Sequence, residues 1–170
     1  MKDWTGGCRC GAVRYEVEGK PTFQVTCHCR DCQYASGGAP AHTVILPSAG
    51  FRITKGEPRG HTVLSEAGTP VERLFCGECG TPLFARNDEH PELIVIKVGS
   101  LNDPGQFRPR AEIWVRSAQP WALRDPAVPQ ISGNPKWDGE ALLALGKASL
   151  VRLGRKLVLA ESRPAVGALD

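Results

Sequence analysis

Seven cysteines constrain this chain more than any other feature. They stand at Cys8, Cys10, Cys27, Cys29, Cys32, Cys76 and Cys79, and fall into three clusters. Cys8-Arg-Cys10 is a C-x-C, Cys27-His-Cys29-Arg-Asp-Cys32 is a C-x-C-x-x-C, and Cys76-Gly-Glu-Cys79 is a C-x-x-C. The first residues carry no apolar stretch behind a positive flank, so the sequence reads as that of a cytoplasmic protein without a secretory signal. Cytosolic thiols stay reduced, and an odd count does not close into a disulfide framework. A chain of 170 residues can also bury an ordinary core without covalent staples. Metal binding or catalysis is therefore the expected use of these thiols.

Thiolates one or two residues apart converge on one tetrahedral ion, because the intervening turn brings their Cβ atoms to the same side. A structural zinc takes four such ligands, whereas a catalytic one takes three and keeps a position for water or substrate. Two pairs from distant parts of the chain, Cys8 with Cys10 and Cys76 with Cys79, suit the closed site. That leaves Cys27, Cys29 and Cys32 for the open one. Counting alone allows a second partition, with Cys8, Cys10, Cys27 and Cys29 closed and Cys32 joining Cys76 and Cys79. It also allows His28 to serve as an eighth ligand.

The remaining composition narrows the class. The net charge is +3, with no run of like charges. That is short of the basic stripe of a dedicated nucleic-acid binder, and none is expected as a partner. No window approaches the roughly 18 apolar residues that a membrane span requires. Nineteen glycines and fourteen prolines cut the chain into short segments. Those at 12–17, 22–26, 42–46, 61–64, 71–75 and 113–115 alternate as half-buried strands do. Leu93 to Val98 is nearly continuous and reads as a central strand. These features predict a mainly β fold of short antiparallel strands. One short helical turn is expected after Cys29, ending at Gly37-Gly38. Residues 118–136, interrupted by four prolines, read as an extended loop. From Asp138, leucines at helical spacing predict an amphipathic helix to about Ala160. The chain is thus divided into a zinc-binding domain at 1–137 and a helical extension at 138–170. The extension is expected to pack on its own domain or on a second copy in a homodimer.

Three strings carry a resemblance: Gly7-Cys8-Arg-Cys10-Gly11-Ala-Val-Arg-Tyr15, Cys27-His28-Cys29-Arg-Asp-Cys32-Gln33, and Phe75-Cys76-Gly-Glu-Cys79-Gly80-Thr81-Pro82-Leu83. With Val98 to Asp103, Ile113 to Ser117, and Trp121, they resemble the glutathione-dependent formaldehyde-activating enzyme family. That family includes proteins similar to the centromere protein V domain. The resemblance implies an Mss4-like zinc-binding fold and two zinc ions per chain. It assigns a structural ion to Cys8, Cys10, Cys76 and Cys79, and a catalytic one to Cys27, Cys29 and Cys32. It also implies carbon–sulfur lyase chemistry on an adduct such as S-hydroxymethylglutathione, in the detoxification of formaldehyde. A non-catalytic zinc module that binds a partner is the alternative function. Glu112 departs from the family's pattern, which has a histidine before the Ile-Trp pair, and this bears on the substrate and the proton donor.

Candidate substrate contacts are Gln33, Ser36 and Gly37, in the loop that follows the last ligand of the trio, and His42. Gly38 joins them as a backbone donor. Against this stand a plain turn for the loop and an ordinary strand histidine for His42. His28, between two ligands, is expected to point away from the metal.

Overall fold

The computed structural model of the chain describes residues 4–66 and 68–135. Its elements run in the order β1 (Trp4–Gly7), β2 (Arg14–Val17), β3 (Phe23–Cys27), α1 (Arg30–Ala35), β4 (Ala41–Pro47), β5 (Phe51–Lys55), β6 (Arg59–Leu64), β7 (Pro70–Phe75), β8 (Pro82–Asn87), β9 (Leu93–Lys97), β10 (Ala111–Ile113) and β11 (Gln130–Ile131). Four single 3₁₀ turns complete the described elements. The helix expected from Asp138 and the domain boundary at 137/138 lie outside the described residues.

The strands form two sheets. A three-stranded one has the order β1-β2-β5, and an eight-stranded one the order β11-β10-β3-β4-β9-β8-β7-β6. The run Leu93–Lys97 lies inside the larger sheet, between β4 and β8, in the central position that its composition predicts.

Register sorts the side chains of the larger sheet into two faces, since directly paired residues share a face. Val44 opposes Ile96, Ile96 opposes Phe84, and Phe84 opposes Leu74. These residues form the main core with Trp4, Tyr15 and Val17 from the smaller sheet. Phe51 stacks edge-on to Phe84 at 4.7 Å, and Tyr15 meets the same ring at 5.9 Å. Two apolar faces thus cover each other, as layered β domains require. The opposite face carries Val25, Thr43 and Lys97 in one row and Ile45, Val95, Ala85 and Arg73 in the next. Its apolar part is a second cluster around Cys27, Cys29, Cys32, Ile113 and Trp114.

The mainly β fold of short, largely antiparallel strands is the one formed, and details of it differ from expectation. The larger sheet is mixed, because β10 runs parallel to both β3 and β11. The chain from 98 to 110 leads back along the sheet before β10 begins, so β10 enters in the same direction as β3. The strand expected at 113–115 stops at Ile113, because Trp114 adopts φ +59 and Val115 starts a 3₁₀ turn. The region read as a loop at 118–136 contains β11, which pairs with β10. Strands β1, β5 and β8 carry little alternation to find: β1 contains two glycines, β5 is mostly exposed, and β8 opens on Pro82.

Candidate functional site

The cysteines gather as two groups, Cys8 with Cys10, Cys76 and Cys79, and Cys27 with Cys29 and Cys32. The alternative partition left open by counting is not the one formed. All seven are free thiols, and either group could hold a metal ion.

The four-cysteine group is made by two turns of the same construction. In the β1–β2 turn the Cys8 amide donates to Val13 O, and the Gly11 amide returns to Cys8 O. In the β7–β8 turn the Cys76 amide donates to Thr81 O, and the Gly80 amide returns to Cys76 O. Gly11 at φ +82 and Gly80 at φ +71 occupy corresponding places, where the tight return needs a left-handed residue. Cys8 and Cys10 Sγ are 3.5 Å apart, and Cys10 and Cys76 Sγ 3.7 Å. Ligands about 2.3 Å from zinc at tetrahedral corners are about 3.8 Å from one another, so this group fits such an ion. Hydrogen bonds prepare two of the sulfurs, while Cys10, against its bond from the Ala12 amide, is pushed up to about 12 by its bonds to Cys8 and Cys79. The Thr81 hydroxyl at 3.1 Å leads the contacts that hold Cys79 at about 5, far below its ordinary 9.0. Burial raises Cys8, but the amide bonds and the S–H bonds from Cys10 and Cys76 together outweigh it and bring that thiol to about 7.

The three-cysteine group is buried and belongs to one short loop. Cys27 ends β3, Cys29 caps α1, and Cys32 lies in the first turn, its amide donating to Cys29 Sγ at 3.4 Å. The loop is pinned from outside. The His28 amide donates to Ile113 O at 2.9 Å. The buried Gln33 amide group donates to His28 O at 2.6 Å and Ser117 O at 2.8 Å, while its oxygen accepts from Gln119 and Arg30. Cys32 is held well below its ordinary range by S–H bonds from Cys27 and Cys29, with Lys97 and Arg73 adding to the effect. Cys27 is pushed up by its bonds to Cys29 and Cys32 and by burial. One sulfur of the trio is thus prepared as a thiolate while its neighbour holds a proton, which a divalent cation would displace on binding.

The trio lies at one end of a groove of about 190 Å³ over the outer face of the larger sheet, floored by Val25, Thr43, Ile45, Val95 and Ala85. Asp31, Arg73, Lys97 and Trp114 also line it. The tip of the β6–β7 hairpin forms part of its wall through Ser65, Glu66 and Thr69. A reciprocal clamp holds that tip on α1: the Arg30 amide donates to Glu66 Oε2 at 3.1 Å, and the Glu66 amide to Asp31 Oδ2 at 2.8 Å. The Ser117 hydroxyl adds a bond to Glu66 Oε1 at 2.9 Å. None of the four cysteines of the other group lines the groove.

The predicted substrate contacts divide differently. Gln33 is taken up in holding the loop. The Ser36 hydroxyl donates to Cys32 O at 2.6 Å, and Gly37 is an exposed turn residue at φ +70. Neither lines the groove. His42 opposes Thr26 and accepts or donates at its Oγ1 at 3.0 Å, on the sheet face opposite the trio. His28 also turns away from the sulfurs: its Nε2 lies 3.1 Å from Glu112 Oε2, with both side chains almost fully buried. The other oxygen of Glu112 accepts the Asp125 amide at 2.8 Å. Arg73, Lys97 and Glu66 went unnoticed in the sequence. Lys97 had a signal, as the one charged residue in the run Leu93 to Val98.

Comparison with known proteins places these residues in context. The family model described as glutathione-dependent formaldehyde-activating enzyme matches residues 3–117. A Halomonas elongata protein, provisionally named a glutathione-dependent formaldehyde-activating enzyme, is 30% identical over 95 residues. The match covers 52% of this chain and 59% of the relative, so this chain spans little more than half the relative's length. A crystal structure of a Rhodobacter sphaeroides protein, 24% identical, covers 74% of this chain and 98% of its own at a TM-score of 0.47.

Proposed function

Since the chain belongs to the glutathione-dependent formaldehyde-activating enzyme family, we propose that it is a zinc-dependent carbon–sulfur lyase acting on a thiol–aldehyde adduct, S-hydroxymethylglutathione being the type substrate. Cys8, Cys10, Cys76 and Cys79 hold a structural zinc in this reading, and Cys27, Cys29 and Cys32 a catalytic one. The observation that carries it is the placing of the two groups. Three sulfurs sit at the end of a groove, while the four that would close around an ion lie away from it.

Zinc on three thiolates would supply a soft open position suited to the sulfur of the adduct. The chain's own residues supply the setting. Val25, Ile45, Val95 and Ala85 give an apolar floor beside the trio. The Gln33 bonds and the Glu66 clamp fix the trio and the adjoining wall, so the geometry does not have to be assembled during reaction. In the cleaving direction the hydroxyl of the adduct gives its proton to water and the carbonyl forms. The electron pair of the breaking bond passes to sulfur, giving thiolate and aldehyde. His28 and His42 do not line the groove, so neither receives that proton directly. The groove also favours this reading over a zinc module that binds through an open surface.

The test is the interconversion of glutathione plus formaldehyde with S-hydroxymethylglutathione, followed by NMR exchange. The zinc-loaded protein should accelerate it, and Cys29→Ser should return it to the uncatalysed rate. Equal rates with and without the wild-type protein would refute the proposal.

A further inference from the structure

Four basic side chains line the groove: Arg73, Arg86, His90 and Lys97. Three have a carboxylate close by. Arg73 lies 3.9 Å from Asp31, Arg86 3.7 Å from Glu72, and His90 3.3 Å from Glu92. Among the described residues, Lys97 has none within that reach. It is half-buried at the end of β9, in the row of Thr43 and Val25. An ammonium on a largely apolar floor is costly unless an anion meets it. Asp31 and Glu66 are occupied in the clamp with α1, no carboxylate of the lining, Glu89 included, pairs with Lys97, and the anionic group that acts on it is the Cys32 sulfur of the trio.

We propose that Lys97 is the specificity-determining residue for the thiol half of the substrate, pairing with a carboxylate of an anionic thiol such as glutathione when its sulfur is at the cysteine trio. The inference rests on the lyase reading above. Its rival is that Lys97 merely balances the negative charge of the trio, a role that would serve charged and neutral thiols alike.

Calorimetric titration of zinc-loaded protein separates the two. The ligands are glutathione, its diethyl ester and 2-mercaptoethanol, applied to wild type, Lys97→Gln and Lys97→Arg, with zinc per chain measured on each. The wild type should prefer glutathione to its diester. Lys97→Gln should weaken glutathione about tenfold to a hundredfold and leave the diester and 2-mercaptoethanol unchanged. Lys97→Arg should restore most of the loss. Equal weakening of all three thiols, or no weakening of glutathione, overturns the role of Lys97 alone. A wild type that binds no thiol overturns the lyase reading and this inference together.

Discussion

Glu112 joins two parts of the chain that sequence places 84 residues apart, through the bond of its side chain to His28. Because His28 lies between two cysteines of the trio, the pair secures that loop from the sheet's reverse face. Removing one member of a buried pair leaves the other without its partner. Glu112→Ala should therefore cost about 3 kcal/mol in denaturant unfolding, and Glu112→Gln clearly less, since the amide oxygen can still accept. Tyr15 provides a different signature. Burial raises its phenol to about 12 from 10.0, against the 2.6 Å bond to Ser100. A folded value above the unfolded one means that this contribution is complete below pH 10 and is lost as pH rises through about 12. Tyr15→Phe should cost about 1 kcal/mol at neutral pH and remove that alkaline decline from the wild-type curve, as urea unfolding across the range would show. The sequence names Cys27, Cys29 and Cys32 plainly, because ligand spacing is local. It does not reveal that Gln33 is consumed in fixing the loop, because Ser117 and Gln119, its partners, are brought to it only by the fold.

Elements show the same division. The strand at Leu93–Lys97 is legible because an apolar run of that length can be satisfied only inside a sheet. The parallel entry of β10 beside β3 is not, since it depends on where the chain from 98 to 110 leads. Strand β11 has only two residues and gains its identity from β10. The β6–β7 hairpin is the element whose role matters most for the groove, and its alternation gave no hint of the clamp at its tip. Glu66→Ala should remove the acceptor of the Arg30 amide and speed hydrogen exchange there by about tenfold or more. The global cost should stay near 1 kcal/mol, because the clamp is at the surface. Unchanged exchange at Arg30 would show that the hairpin is held on α1 by other means.

At the scale of the molecule, the two sulfur groups serve two regions of one fold. The four-cysteine group ties the β1–β2 turn of the small sheet to the β7–β8 turn of the large one. The trio stands apart on the outer face, where the groove begins. Sequence spacing allowed two partitions, and only the resemblance to a family chose between them. The fold brings together the same two sets by folding distant turns onto each other.

Zinc per chain, measured by mass spectrometry on freshly purified wild type and on a Cys27, Cys29, Cys32→Ser triple variant, tests the central claim of two separate metal sites most directly. The account predicts about two ions in the wild type, one for each sulfur group, and about one in a variant that keeps its β circular dichroism. A single ion in both proteins would contradict it, removing the metal from the groove and the lyase reading with it.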